Sequence, residues 1–292
     1  MTQIKDLSTA SSEQMRALQM KELEILKYFK NICDENQLTF FLGGGSCIGA
    51  LRHKGFIPWD DDVDVFMLRK DYERLYNNWS TYSTDPQYSL CRSTIDQNYR
   101  HAAMTLNDNQ TTFINFRTSN EDVNQGIGID ILPIDYLADN YFSRIWQRLN
   151  AVIFSIFINQ RLPDNQGALL HWLTKIPLIL IKNPKRRVHI WKFSERQMTK
   201  YSKKKTEHLV ELVSGLRSIL RPLDPSWFDQ AIDQSFEDTT MPIAVGADKY
   251  LKFIFGDYMQ LPSPEDRKAK HHTAFIDTEN PYQNYRGKYY LK

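Results

Sequence analysis

The chain has 292 residues, 37 Lys and Arg against 35 Asp and Glu, and 41% hydrophobic residues, a composition that excludes general disorder and suits one large domain or a core with a helical appendage. A formal charge of +2 argues against a dedicated nucleic-acid binder, and Cys33, Cys47 and Cys91 are spaced for neither a disulfide framework nor a zinc site, as expected of a reducing, cytoplasmic setting. The opening MTQIKDLSTASSEQ lacks the apolar segment of a signal peptide, and the longest apolar stretches fall well short of the ~20 residues of a membrane span.

Ser11 and Gln14 read as a capping box, after which Leu18, Ile25, Phe29 and Ile32 share one face of a helix predicted to end near Asn36. A short strand over Gln37–Leu42 runs into Gly43-Gly44-Gly45-Ser46, followed by a short helix over Ser46–Lys54 that Gly55 ends. Further strands are predicted at Val63–Met67, Tyr88–Cys91, Ala102–Leu106, Thr111–Phe116 and Ile127–Leu132, with a helix at Lys70–Asn78. Beyond Tyr141 the texture turns to long helical stretches punctuated by Pro163, Pro177, Pro184, Pro222 and Pro225. A boundary is therefore expected near Asp139, with sheet before it and mostly helix after it.

Four carboxylates crowd the five positions Asp60–Asp64. An acidic run is most often a solvated loop, but here Asp62 and Asp64 alternate with Val63 and Val65. On a strand the two aspartates then share one face while the valines enter the core. Such a pair, about 7 Å apart, converges readily on a divalent cation and opposes folding without one. Asp130 stands alone in the apolar strand Gly128-Ile129-Asp130-Ile131 and needs a cation or hydrogen-bond donors if buried. Asp135, past Pro133, is expected in a turn or cap. The glycines of Gly43–Ser46 keep side chains away from a helix start, where backbone N–H groups and the helix dipole favour a phosphate. With no Gly-Lys-Ser/Thr after it, the loop is not a Walker A sequence.

Gly-Ser, then Asp62-Val-Asp64-Val, then Ile-Asp130-Ile resembles the nucleotidyltransferase superfamily. More closely, Gly49-Ala-Leu-Arg52-His53-Lys54-Gly-Phe-Ile-Pro-Trp59-Asp-Asp-Asp-Val-Asp64-Val is similar to the signature of the LicD family. The resemblance continues through Arg69-Lys-Asp71-Tyr72-Glu73 and Gly128–Tyr136, and returns in a C-terminal block over 248–272 that holds Tyr250–Pro262, Arg267, His271 and His272. That family includes phosphocholine transferases of bacterial surface glycans and is related to the fukutin-type ribitol-phosphate transferases. The resemblance implies an α/β fold: a nucleotidyltransferase-like mixed β-sheet core flanked by helices over 1–139, and a mostly helical acceptor or membrane-side region over 140–292.

The resemblance also implies chemistry. Mg²⁺, or Mn²⁺ in its place, would sit on Asp62, Asp64 and Asp130, with Asp130 either completing the metal shell or taking the acceptor's proton. Gly45, Ser46, Arg52, His53, Lys54, Trp59 and Asp60 would serve the donor, a CDP-alcohol such as CDP-choline. Arg267, His271 and His272 form a second candidate cluster. Phosphocholine, or a related phospho-alcohol, would pass to a sugar hydroxyl of a teichoic acid, lipopolysaccharide or capsule precursor, releasing CMP. Two alternatives are nucleotidyl transfer to a small molecule or protein and non-catalytic glycan binding. Arg52–Lys54 also suit plain charge at a helix end, and Trp59 offers an aromatic face to a choline cation. Finally, ten Lys and Arg against the single acid Glu195 occupy Lys182–Lys205, after the apolar stretch Ala168–Ile181. This reads equally as a solvated helix face or as a seat on the anionic inner face of the cell membrane, beside a lipid-linked glycan acceptor.

Overall fold

In the computed structural model, which describes residues 3–160, 175–269 and 273–292, the Ser11 capping box starts α1 (Ser12–Glu35). Ser11 Oγ accepts from the Gln14 N–H at 3.2 Å and Gln14 Oε1 from the Ser11 N–H at 3.0 Å. The helix buries Leu18, Ile25, Leu26 and Phe29, each stabilising by roughly 1.5–3 kcal/mol over exposure. Phe29 meets Phe40 edge-on at 4.9 Å. Two polar residues, Gln19 and Glu22, share this buried face.

The fold is α/β, as predicted, in two compact units. The first comprises Met1–Cys91, Met104–Leu132 and Pro225–Lys292; the second comprises Arg92–Ala103 and Pro133–Asp224. The division is thus discontinuous and differs from the single boundary expected near Asp139, because the C-terminal segment returns to the first unit.

The first unit's main sheet has the spatial order β2 (Phe41–Leu42), β3 (Asp64–Leu68), β7 (Ile127–Leu137), β5 (Met104–Asp108), β4 (Tyr88–Cys91). The pairs β2–β3, β5–β7 and β4–β5 are antiparallel. A smaller sheet aligns β1 (Gln3–Ile4), β11 (Thr273–Asp277) and β6 (Thr112–Asn115). Between β2 and β3 lie α2 (Gly44–Ile48) and one wide turn over Gly49–His53, ended by Lys54 in the left-handed region at φ 58°; α3 (Arg69–Tyr82) follows β3.

The region expected to be mostly helical carries strands. Besides β11, it contains a hairpin of β9 (Ala231–Phe236) and β10 (Thr239–Ala244), turning on Glu237 at φ 56°. Next comes a helix over Ala247–Phe255, named α7 here. Its Tyr250 lies edge-on to Phe66 at 5.8 Å and Phe228 at 5.7 Å, and Phe228 meets Phe41 at 5.6 Å. These aromatic contacts fasten the C-terminal segment to β2 and β3.

The second unit holds α4 (Tyr141–Asn159), a helical segment over 175–180, α5 (Pro184–Thr199), β8 (His208–Val210) and α6 (Leu216–Leu220). Asn140 and Asn183 cap α4 and α5, with Pro184 at the start of the latter. Phe154, Phe157, Trp191, Met198 and Val210 form its core. Buried Gln147 donates to the carbonyls of Tyr136 and Met198 and accepts from the Ala138 N–H, each at 2.9 Å. The strand predicted to end at Leu132 runs on to Leu137. Pro133 falls between residues 127–131, which pair with β5, and Asp135–Leu137, which pair with β8, so neither ladder needs its missing N–H. Asp135 is therefore a buried strand residue rather than a turn residue, and accepts from Ser202 Oγ at 2.5 Å. Among the described residues no helix is long and apolar enough to cross a membrane.

Candidate functional site

The glycine loop and the acidic run are stitched together by short-range geometry. The Gly43 N–H bonds the Asp64 carbonyl at 2.9 Å, and buried Ser46 accepts from the Asp64 N–H through Oγ at 3.0 Å, so Ser46 pins the first residue of β3. A Cβ on Gly44, at φ 40°, would lie 3.3 Å from Asp64 Oδ2, and one on Gly45 would lie 2.6 Å from Asp60 Oδ2. The room that the sequence assigned to a phosphate is thus used, at these two positions, by the chain's own carboxylates. A Cβ on Gly49 would lie 2.4 Å from the Gly55 carbonyl, which is why the loop between them can close.

The α1 helix holds the acidic turn from behind. Gln19 Nε2 donates to the carbonyls of Ile57 at 3.1 Å and Asp60 at 2.9 Å. Asp60, Asp61 and Asp62 then bring carboxylate oxygens within 4.8 Å of one another. This differs from the predicted grouping of Asp62, Asp64 and Asp130. Asp64 faces Gly44, while Asp130 sits on the neighbouring strand with its N–H on the Val63 carbonyl at 2.8 Å. An all-carboxylate donor set suits a hard cation such as Mg²⁺.

Glu22 is the site residue that the sequence reading missed. It is 1% exposed, and its Oε2 has no hydrogen-bond partner among the described residues. Burial, reinforced by Asp62, Asp61, Asp60 and Asp130, pushes its carboxyl well above the usual carboxylate range. The available signal was its place in the helical stripe, four residues after Leu18 and three before Ile25. A carboxylate at a core position needs a reason.

A cationic and aromatic group flanks the acids. Arg52 donates through Nη1 to the carbonyls of Tyr258 at 2.6 Å and Gln260 at 3.3 Å, and through Nε to His53 Nε2 at 2.9 Å. The C-terminal block is thereby tied to the loop. His53 stands edge-on to Trp59 at 6.1 Å, and the Arg267 guanidinium lies 5.6 Å from the Trp59 ring centre. The face of Trp59 offered to a choline cation is therefore met by the chain's own arginine. Burial, then the Arg52 charge, lowers the His53 pKa, favouring a neutral imidazole whose Nε2 accepts from Arg52 and whose proton sits on Nδ1. Arg52 is lowered by burial and by Arg267, with Asp60 opposing.

Of the remaining predicted residues, Lys54 is exposed and anchors the hairpin through its backbone. Its carbonyl accepts from the Glu237 N–H at 2.8 Å, while Glu237 pairs with Arg16 and accepts from the Phe56 N–H at 2.9 Å. His271 and His272 lie outside the described residues.

Residues 37–155 match the family described as LicD/FKTN/FKRP, nucleotidyltransferase domain. The chain is 27% identical over 263 residues to the lipopolysaccharide cholinephosphotransferase LicD of Haemophilus influenzae, covering 88% of this chain and 96% of that protein. It is also 31% identical over 68 residues to the uncharacterized protein RT0683 of Rickettsia typhi, 22% of each chain. A third relative, the uncharacterized protein RP689 of Rickettsia prowazekii, is 26% identical over 99 residues, 30% of this chain and 37% of that one. The matched domain holds the glycine loop, the Asp60–Asp64 run and Asp130, and it is there that the chain is similar to the LicD family.

Proposed function

We propose that this chain moves phosphocholine, or a related phospho-alcohol, from a CDP-alcohol such as CDP-choline to a sugar hydroxyl of lipopolysaccharide or a comparable surface-glycan precursor, with a divalent metal bound. The observation that carries the reading is the convergence of Asp60, Asp61 and Asp62 beside Asp64 and Asp130. It lies in a chain similar, over 96% of that relative's length, to a protein named a lipopolysaccharide cholinephosphotransferase. The residues fit a cation: the three grouped donors are all carboxylate oxygens, and the buried Glu22, whose Oε2 has no hydrogen-bond partner among the described residues, is pushed toward its neutral form by the same acids.

Asp60, Asp61 and Asp62 would hold Mg²⁺ or Mn²⁺. When bound, that cation would neutralise charge on the donor's phosphates. Arg52 and Arg267, on either side of His53 and Trp59, bring guanidinium charge for the same anionic donor. We assign Asp130 the acceptor's proton: as the sugar oxygen bonds the alcohol-bearing phosphorus, its proton passes to the Asp130 carboxylate. The bond from that phosphorus to the oxygen of CMP breaks, and CMP leaves. The acceptor in this reading is lipid-linked and the reaction proceeds at the cytoplasmic membrane face, supported by the ten basic residues of Lys182–Lys205.

The test supplies CDP-choline, CDP-ribitol or CDP-glycerol with Mg²⁺ and a glycan acceptor, and measures CMP. One donor should yield CMP with the wild type, and Asp62→Asn and Asp130→Asn should lose it. Pyrophosphate formed from CTP, with no CMP from any CDP-alcohol, would replace the reading by nucleotidyl transfer. Glycan binding without either product would replace it by a binding role.

A further inference from the structure

We propose that the outward face of α4, together with the lysine-rich end of α5, docks the second unit on an anionic phospholipid bilayer. The helix α4 is apolar on both sides. Its inner face buries Ala151, Phe154 and Phe157, yet Tyr141, Phe142, Ile145, Trp146 and Leu149 stay exposed, Phe142 at 78% and Tyr141 at 68%. Their spacing of i, i+1, i+4, i+5 and i+8 makes them one continuous stripe. Phe193 on α5 is also exposed.

The packing of α4 against α5 puts positive charge beside that stripe. Phe154 meets Trp191 at 6.2 Å, Gln147 reaches the Met198 carbonyl, and Trp146 Nε1 donates to Gln197 Oε1 at 3.2 Å. Residue numbers rise on one helix as they fall on the other, so the helices run antiparallel. The aromatic start of α4 therefore lies alongside the end of α5 that leads into Lys200, Lys203, Lys204 and Lys205, all exposed.

Charge complementarity selects the occupant. Residues 133–224 hold 16 Lys and Arg against seven Asp and Glu, a net +9, whereas the other 200 residues hold 21 against 28, a net −7. An apolar face bordered by such a basic excess suits a surface that is anionic and has an apolar interior within reach, which describes a bilayer of acidic lipids. Aromatic rings are well suited to the boundary between headgroups and acyl chains. The apolar component thus differs from the Ala168–Ile181 stretch expected from sequence, part of which lies outside the described residues.

This inference deepens the membrane reading above, but its test measures binding alone, so it stands or falls separately from catalysis. The full chain is sedimented with vesicles of phosphatidylcholine containing 30 mol% phosphatidylglycerol, about a third anionic as a probe of surface charge, and with phosphatidylcholine alone. Wild type should pellet with the anionic vesicles and remain in solution with the neutral ones. Phe142→Ser combined with Ile145→Ser should weaken pelleting by roughly tenfold or more, with melting temperature and CMP release on a soluble acceptor unchanged. Lys203→Glu, Lys204→Glu and Lys205→Glu together should abolish the preference for anionic vesicles. Equal pelleting by the serine variant, equal pelleting on both vesicle types, or wild type left in the supernatant would each overturn the proposal. So would an equilibrium dimer that the serine variant dissociates, because the face would then belong to a second copy.

Discussion

Replacing Glu22 by glutamine keeps the side chain's shape and removes the ionisable carboxyl whose charge Asp62, Asp61, Asp60 and Asp130 oppose. The carboxyl's Oε2 is buried and has no partner among the described residues, a condition that costs about 1–3 kcal/mol. In metal-free buffer Glu22→Gln should therefore raise the unfolding free energy by up to about that amount, or roughly 2–4 °C of melting temperature per kcal/mol. The sign with pH follows from burial and the four neighbouring aspartates, which raise the folded-state pKa. Below the unfolded value of about 4.3 both states bind the proton and the carboxyl carries no ionisation penalty; as pH climbs toward the folded value, wild-type stability is lost. The glutamine variant's advantage should thus be small in acid and widen toward neutral and mildly alkaline pH. Urea unfolding in EDTA, followed by tryptophan fluorescence from about pH 5 to pH 8, measures it. Mg²⁺ should shrink the difference, since a cation offsets the same repulsion. An advantage that stays flat across pH, or a variant less stable than wild type at pH 8, would refute this account of the acidic cluster.

Gly45→Ala would set a methyl group 2.6 Å from Asp60 Oδ2; CMP release should fall about tenfold or more, equivalent to ~1.4 kcal/mol of barrier, with the melting temperature nearly retained. Asp62→Asn should abolish the upward shift in melting temperature that Mn²⁺ gives the wild type, and an unchanged shift would move the cation elsewhere. Glu237→Gln should cost about 1 kcal/mol at neutral pH, where the wild-type carboxylate is held below its usual range chiefly by the Arg16 hydrogen bond. Because that pKa is lowered by folding, the wild-type contribution is present above the unfolded value and fades as pH falls through the folded one. The difference between the two proteins should therefore vanish in acid, as denaturant midpoints would show.

What could be read from the sequence was set by neighbours in the chain. The capping box needs only Ser11 and Gln14, and the alternation of Asp62 and Asp64 with Val63 and Val65 needs only a strand. Glu22 and Asp60 lie almost forty residues apart, and no local pattern announces that α1 backs the acidic turn. The β9–β10 hairpin has no local signature, because its turn carries no Asn-Gly or Asp-Gly pair. Its Glu237 takes a positive φ with its carboxylate held by the distant Arg16 and Phe56 N–H. The return of the C-terminal segment likewise depends on Phe228 and Tyr250 finding Phe41 and Phe66. By its chemistry Pro133 marks a strand end, and its tolerance inside β7 depends on which residues pair on either side of it.

The formal charge of +2 is the remainder of two opposed excesses, and the two respond differently to salt. The basic excess of residues 133–224 stands largely on exposed helix surface and on the Lys203–Lys205 run, where interactions fade beyond about 8 Å at physiological ionic strength. The acidic excess includes Asp60 and Asp61, which are buried or nearly so, and buried charges are screened far less. Raising monovalent salt should therefore release the protein from anionic vesicles while leaving the Mn²⁺-dependent gain in melting temperature largely in place. Parallel loss of both effects with salt would mean that the carboxylates act as an exposed surface cluster, and the assignment of a sheltered cation site at Asp60–Asp62 would fail.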